Sequence, residues 1–438
     1  MDLVIIAGGK GTRLGLVDIP KPMVKIGNTP LLELQINIAK KYGINKIYIL
    51  SGYRSETIQE YFGNGKKFGI EIIHIVEESE LGTAGAVKQL EGIIFQPFMV
   101  FYGDTYFDIN LKEFVNYSQN IEHPNHIAAI FVHPNDHPYD SDLVEIDNNS
   151  FVSKFHSKPH EENKYYPNLV NAALYILDPK IFNYIPINQK SDFGKNIFPE
   201  AIRKGEKIIA YKTSEYIKDI GTTDRVEKVR ADYSSGKCFS RNKSNLQKCI
   251  FLDRDGVINK EVDNLHNIKD FEIIDGVAKA IRKINQSNFL SIVITNQPVI
   301  AKGFCTMEQL NEIHNKMYTL LGKERVYLDD LYYCPHHPET GFIGEIKKYK
   351  VKCNCRKPMP GMLLQAKERH NIDFGKSFII GDRYIDIITG KNVGLKTVLV
   401  KTGHSGSDTN NYSEPDYEFN SLIESVEFIL DNYSNDNI

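Results

Sequence analysis

The sequence predicts an α/β fold in two domains, each built on a parallel sheet. Length is the first observation: at roughly 100–200 residues per domain, 438 residues favour two or three units over one. Pattern is the second. Short apolar runs at Leu3–Ala7, Lys46–Leu50, Glu71–Val76 and Phe98–Tyr102 alternate with helical periodicity such as Pro30–Tyr42, as strands joined by crossover helices do. The third is a restart, because a new buried-strand run, CIFL, begins at Cys249 after the polar stretch Asp224–Lys248. A helix and then a Ser/Gly/Asn/Lys linker account for that stretch. The expected division is 1–233, a linker at 234–248, and 249–432.

Hydrophobic residues make up 41% and charged residues 25%, values that exclude wholesale disorder. Lys and Arg number 53 against 56 Asp and Glu, net −3. No surface is built to neutralise a nucleic-acid backbone, so small anionic molecules are the partners expected, without nucleic acid or membrane. The apolar run before Gly8 is too short for a secretory signal, and no stretch reaches about 18 apolar residues. A soluble cytoplasmic protein is expected, with homo-oligomerisation left open. Cysteines stand at 238, 249, 305, 334, 353 and 355, and the crowding of half of them into 334–355 points to a metal before disulfides.

Directly after the first strand comes Gly8-Gly9-Lys10-Gly11-Thr12-Arg13-Leu14. Glycines there let backbone N–H groups approach phosphates, and Arg13 can meet a charged oxygen bidentately. The loop is neither the Walker pattern nor the dinucleotide fingerprint. In Pro20-Lys21-Pro22-Met23, Lys21 lies between two φ-restricting prolines, where its ammonium can be aimed at the same phosphates. Leu81-Gly82-Thr83-Ala84-Gly85-Ala86 offers a backbone surface for a base or sugar. Asp104, in Tyr102-Gly103-Asp104, and Asp219, in Lys218-Asp219-Ile220-Gly221-Thr222, could jointly hold a Mg²⁺ between triphosphate and acceptor phosphate.

In this order, over about residues 1–225, these motifs resemble the sugar-1-phosphate nucleotidyltransferases. They look most like the heptose-1-phosphate guanylyltransferases, and the mannose-1-phosphate enzymes share most of them. The resemblance implies a Rossmann-like domain of glycosyltransferase-A type. There Gly8, Gly9, Gly11, Thr12 and Arg13 wrap the triphosphate and Lys21 contacts it. Gly82, Thr83 and Gly85 lie by base and sugar, Asp104 and Asp219 bind Mg²⁺, and GTP is the nucleotide. Arg13 and Lys21 then catalyse without a protein nucleophile: the sugar phosphate attacks the α-phosphorus in line and pyrophosphate leaves. Where the family has Glu-Lys-Pro the chain has Ser157-Lys158-Pro159, keeping Lys158 for the sugar phosphate and losing the acid. Its Asn-x-Gly-x-Tyr is Asn171-Ala172-Ala173-Leu174-Tyr175, keeping Asn171 in the sugar-phosphate pocket, with Ala173 expected to crowd a hydroxyl.

Three later apolar strands each end in a polar residue suited to phosphate chemistry: Cys249–Leu252 in Asp253, Leu290–Ile294 in Thr295, and Ser377–Ile380 in Gly381-Asp382. Asp253 and Asp255 are two apart as the chain leaves its strand, so both can face one phosphoryl group. One is expected to attack while the other, kept protonated, delivers a proton to the leaving oxygen. Cys334-Pro335-His336-His337 and Cys353-Asn354-Cys355-Arg356-Lys357 supply four soft or borderline ligands, fit for tetrahedral Zn²⁺ in a closed structural site. Either histidine can complete that set.

This half resembles the haloacid-dehalogenase (HAD) superfamily of aspartyl-phosphate phosphatases, and IFLDRDGVIN, TNQ, CPHHPE, CNCRKP, GML and GD look closest to the D-glycero-D-manno-heptose-1,7-bisphosphate phosphatases. Histidinol-phosphate phosphatases share the zinc loop. The resemblance implies a HAD-like Rossmannoid domain with Asp253 as nucleophile and Asp255 as general acid and base. Thr295, Asn296, Arg356, Lys357 and Arg383 then bind the sugar phosphate. Mg²⁺ falls to Asp253, Asp382 and the Asp255 carbonyl, with Asp386 a weaker candidate, and Zn²⁺ to Cys334, His336, Cys353 and Cys355. Pro298-Val299 replace the usual Ser-Gly after TNQ. Together the halves imply a bifunctional enzyme making GDP-D-glycero-α-D-manno-heptose for a lipopolysaccharide, capsule or S-layer glycan. A transferase for mannose or another sugar fused to an unrelated phosphatase, and a non-catalytic phosphosugar-binding regulator, are the alternatives.

Overall fold

In the computed structural model, residues 1–11, 19–120, 125–408 and 412–433 are described. They divide into two units, one of Met1–His133, Ser141–Lys158 and Leu169–Asn242, the other of Pro134–Asp140, Pro159–Asn168 and Lys243–Ile438.

The first unit is organised around strand Leu3–Ala7, which pairs in parallel with Lys46–Ser51 on one side and Phe98–Tyr102 on the other. Glu71–Val76 extends the sheet in parallel, whereas Val170–Leu177 joins Phe98–Tyr102 antiparallel. Leu3, Ile5 and Ala7 enter one core and Val4 the other, which is why the strand reads as an unbroken apolar run. Helix Leu31–Lys41 lays Leu32, Ile36 and Ala39 on the first face; helix Gly82–Lys88 lays Ala84, Ala86 and Val87 on the second. The neighbours on either side of Leu3–Ala7 are reached by opposite turns of the chain, so a crevice opens beyond its C-terminal end. A separate antiparallel ribbon, Thr105–Asp108 with Tyr216–Asp219, pairs Asp219 opposite Thr105.

The second unit is an all-parallel sheet of six strands. Its order is Asp330–Cys334, Phe289–Asn296, Lys248–Leu252, Phe378–Gly381, Lys396–Val400 and Tyr417–Phe419. Ile250 and Leu252 face one core with helices Val277–Gln286 and Leu422–Tyr433; Cys249 and Phe251 face the other with helix Gly361–His370. The order reverses at Lys248–Leu252, which places the ends of the three chemistry-bearing strands side by side.

The stretch expected as a linker differs from that expectation. Lys237–Ser240 is a short helix, and Lys237, Arg241, Asn242, Lys243 and Gln247 are buried. Asn242 donates to Asp108 at 2.7 Å in the first unit; the Gln247 N–H donates to the Asn371 carbonyl at 2.8 Å in the second. Its polar side chains find partners, so the segment packs where its composition suggested a solvated tether.

Candidate active sites

Beyond strand Leu3–Ala7 the described part of the glycine loop is Gly8 to Gly11; Thr12 and Arg13 lie outside the described residues. Gly11 has φ +66°, and a Cβ there would stand 2.9 Å from Lys21 Cγ, so only glycine lets the lysine pass beneath the loop. Lys21 Nζ donates to Asp104 Oδ2 at 3.1 Å. Ile220 N–H donates to the Asp104 carbonyl at 2.8 Å, bringing Asp219 beside it. Asp219 Oδ2 accepts from Arg225 at 2.7 Å and from Gly221 N–H at 3.2 Å. Both carboxylates are of the oxygen-donor type a Mg²⁺ takes, and here each is paired with a basic side chain, Lys21 or Arg225.

The LGTAGA glycines are also required by packing. Cβ atoms on Gly82 and Gly85 would approach the Ser191 and Gln189 carbonyls to 2.5 and 2.8 Å, so packing against residues 189–191 explains both glycines. Thr83 does not present a free hydroxyl to a nucleotide: Oγ1 donates to Asp192 Oδ2 at 2.8 Å and accepts from Phe193 N–H at 3.1 Å. Lys158 is exposed, and its backbone N–H donates to Asp142 Oδ1 at 3.2 Å. Asn171 donates to Tyr175 Oη at 2.9 Å, and Ala173 takes φ +58°.

Sequence reasoning missed Glu77. A Cβ on Gly8 would lie 2.7 Å from its Oε2, and Oε1 is buried without a hydrogen-bond partner. Burial first, and Glu80 second, push its carboxyl up to about 7. The run Glu77-Glu78-Ser79-Glu80 reads as a solvated charge cluster, so only its burial gives it away.

In the second unit a cavity of about 340 Å³ gathers Asp253, Asp255, Thr295, Asn296, Arg356, Lys357, Asp382 and Arg383. Lys357 is buried, 2.9 Å from Asp253 Oδ2 and 2.6 Å from Asp386 Oδ1. Burial lowers its pKa, but the two carboxylates outweigh that and hold it charged. Asn296 was expected on the phosphate; it clamps the Lys357 peptide, its amide donating to the Lys357 carbonyl at 3.2 Å and its oxygen accepting the Lys357 N–H at 3.0 Å. Arg383 is half-exposed, 3.9 Å from Asp408. Val299 is buried, and Pro298 opens a turn whose carbonyl accepts from Lys302 N–H.

Asp255 contradicts the expectation of a protonated acid. Arg254, fully buried, grips both its oxygens at 2.8 and 2.9 Å; Asn259 and Gln297 each donate to it at 2.9 Å. Burial alone would raise its pKa, but these donors more than offset that and hold the carboxyl below the usual range. His314, buried and pushed down to about 3 by burial and by Arg254, faces the same guanidinium at 3.1 Å as a neutral acceptor.

Asp253, Asp382 and Asp386 offer ligand atoms within 4.8 Å of one another, all buried. Burial first, then Asp253 and Asp386, push Asp382 up to about 8, and its Oδ1 has no hydrogen-bond partner. Such a cluster fits a Mg²⁺ that neutralises it. Here Asp386 joins the acids, while the Asp255 carboxylate is turned to Arg254. Gly256, at φ +75°, is needed beside them, because a Cβ would fall 2.3 Å from Asp382 Oδ2.

Cys334 ends the strand Asp330–Cys334, and its Sγ lies 3.6 Å from His336 Nδ1, 3.6 Å from Cys353 Sγ and 3.2 Å from Cys355 Sγ. His336 Nδ1 is 3.4 Å from Cys355 Sγ. For Zn–S bonds near 2.3 Å, the edges of a tetrahedron are about 3.8 Å, so this donor set fits a zinc ion with modest relaxation. His336, not His337, belongs to it.

Residues 3–236 match the family model described as nucleotidyl transferase, and residues 354–425 match the one described as HAD-hydrolase-like. The chain is 38% identical over 185 residues to the D-glycero-beta-D-manno-heptose-1,7-bisphosphate 7-phosphatase of Haemophilus ducreyi, covering 42% of this chain and 98% of that one. It is 41% identical over 165 residues to the D-glycero-alpha-D-manno-heptose-1,7-bisphosphate 7-phosphatase of Photorhabdus laumondii, covering 37% and 88%. Among solved structures it is similar to HddC from Yersinia pseudotuberculosis complexed with GMP-PN, at 28% identity and TM-score 0.45 over 53% of this chain and 99% of that one. A matched transferase loop and a matched phosphatase crevice in one chain place it in two families at once: it belongs to the nucleotidyl transferases through residues 3–236, and to the HAD-type family of these 7-phosphatases through its second half.

Proposed function

We propose that the second unit removes the 7-phosphate of D-glycero-D-manno-heptose 1,7-bisphosphate, and that the first transfers GMP from GTP to the resulting heptose 1-phosphate, releasing pyrophosphate and making GDP-heptose for a bacterial surface glycan. One observation carries the reading: a nucleotidyl transferase and a relative of heptose bisphosphate 7-phosphatases share a chain, so the product of one chemistry is the acceptor of the other.

In the phosphatase, Asp253 attacks the 7-phosphorus, forming an aspartyl phosphate as the bond to the C7 oxygen breaks; in the first turnover that oxygen takes, through Asp255, the proton carried by the phosphate monoester itself. Asp255, held as a carboxylate, takes the proton of the water that attacks this intermediate. The P–O bond to Asp253 breaks, inorganic phosphate leaves, and Asp255 returns the proton to the next departing C7 oxygen. Lys357 neutralises the phosphoryl oxygens and Thr295 adds a hydroxyl donor. Mg²⁺ on Asp253, Asp382 and the Asp255 carbonyl, with Asp386 beside them, would screen the remaining charge. Zn²⁺ on Cys334, His336, Cys353 and Cys355 would be structural, holding the loop that carries Arg356 and Lys357.

In the transferase, Lys21 and the Gly8–Gly11 amides hold the triphosphate, with Arg13 and Thr12 in the same loop; Asp104 and Asp219 would hold a Mg²⁺ that neutralises it. Lys158 and Asn171 hold the sugar phosphate. Glu77 supports GTP: a carboxylate accepts from guanine N1–H and N2–H₂, whereas adenine presents an acceptor at N1. Supplying both anomeric bisphosphates with each NTP to the purified protein tests both halves, since the 7-phosphatase relatives are named for both anomers. Phosphate release and a GDP-heptose product are expected; no phosphate from either anomer, or no nucleotide-sugar from the 1-phosphate, sinks the corresponding half.

A further inference from the structure

Three polar side chains of the first unit converge over Gly194. The backbone there winds as a π-helix, Phe193–Ile197, a form that gathers at functional sites. A Cβ on Gly194 would lie 3.2 Å from Asn171 Nδ2, 3.6 Å from Asp192 Oδ1 and 3.8 Å from Asp142 Oδ2. Gly194 is not at positive φ, so the glycine leaves room rather than relieving the backbone.

The three are engaged differently. Asp192 is spent, accepting from Thr83 Oγ1 at 2.8 Å and Lys195 N–H at 3.1 Å. Asn171 holds Tyr175 Oη at 2.9 Å through one amide hydrogen, leaving a second. Asp142 accepts the Lys158 N–H through Oδ1 at 3.2 Å and the Asn171 N–H through its carbonyl at 3.2 Å. Its Oδ2 has no hydrogen-bond partner among the described residues. One aspartate is thus tied to both residues assigned above to the sugar phosphate, with its other oxygen left beside Asn171 over Gly194.

Resting on the sugar-1-phosphate reading above, we propose that Asp142 Oδ2 accepts a hydroxyl of the bound sugar, with the second Asn171 amide hydrogen beside it, and so sets which sugar 1-phosphate is used. A hydrogen bond to an ionised acceptor is roughly twice as strong as a neutral one. A site that demands a hydroxyl rejects the analogue lacking it far better than an apolar pocket rejects an extra group.

The test uses the full chain, GTP at saturation, and heptose, mannose and glucose 1-phosphates. Asp142→Asn keeps Oδ1 for the Lys158 N–H and therefore keeps the fold. It is expected to raise the KM for the accepted sugar 1-phosphate at least about tenfold, with the KM for GTP unchanged. Among monodeoxy analogues of that sugar, one should bind wild type and variant equally weakly, identifying the hydroxyl read. Gly194→Ala, whose methyl would crowd Asn171, should show the same sugar-selective loss. An unchanged sugar KM in Asp142→Asn, or a loss shared equally by every deoxy analogue, overturns the assignment. If mannose or glucose is accepted and heptose is not, the heptose reading falls while the Asp142 comparison is decided on the accepted sugar. Turnover of none of the three overturns both.

Discussion

Arg254 is among the largest side chains with no exposure, and it spends that burial on Asp255 and His314. The clamp makes Asp255 a base in the resting site, so its role divides by step. With p-nitrophenyl phosphate, whose leaving group needs no proton, Asp255→Asn should release one equivalent of nitrophenol and then stall as the phosphorylated enzyme. Mass spectrometry reads the adduct, and steady turnover at the wild-type rate would contradict the assignment. Glu77 gives a prediction of opposite polarity. Its pKa, raised to about 7 by burial first and by Glu80 second, leaves it neutral below that pH, and pairing with guanine needs the carboxylate. The KM for GTP should fall as pH rises from about 6 to 8, and Glu77→Gln should flatten the profile; an identical slope in the variant refutes the role. Neither residue was legible as such. Asp255 was identified by its spacing from Asp253, but its charge state depends on Arg254 being folded back onto it, with Asn259 and Gln297 adding donors, the latter 42 positions away.

Strands buried on both faces were the most legible elements. Leu3–Ala7 and Phe98–Tyr102 stand where their apolar runs put them, because nothing polar interrupts a strand that faces two cores. Helix Met307–Lys323 likewise follows its apolar spacing, behind a Thr306–Gln309 capping box. Irregular elements were not legible: the π-helix over Gly194 and the bulge in Val170–Leu177 follow from distant packing rather than local pattern. That bulge holds Ala173 at φ +58°, a conformation costing a non-glycine residue about 1 kcal/mol or more. Ala173→Gly should therefore stabilise the first unit by about 1 kcal/mol, read as a Tm increase of roughly 2–4 °C; a lower Tm would contradict it. The zinc loop was legible because few other reasons gather three cysteines and a histidine. Its ligands end two residues before Lys357, so chelation or Cys355→Ser should raise the phosphatase KM several-fold, leave nucleotidyl transfer intact and lower metal content. Unchanged kinetics in a zinc-free protein would refute the coupling.

At the scale of the whole molecule, the two families share no catalytic residue, and each site is built on its own cores. Asp253→Asn should abolish phosphate release while full nucleotidyl transfer to a supplied sugar 1-phosphate persists; a matching loss of transfer would show the halves to be coupled. The restart at Cys249 made this two-part organisation visible in the sequence, because a strand ending in DxD cannot extend the earlier sheet's motif set. The packed segment 234–248 was not visible, since its lysines and asparagines look solvated until their partners are known. Cys353 and Cys355 have a wider consequence, standing within four residues of Arg356 and Lys357, proposed above to bind the substrate. An oxidant or a shortage of zinc would strike hydrolysis and spare capping, so a cell under such stress would stockpile the doubly phosphorylated sugar while its activating machinery stood idle for want of feedstock.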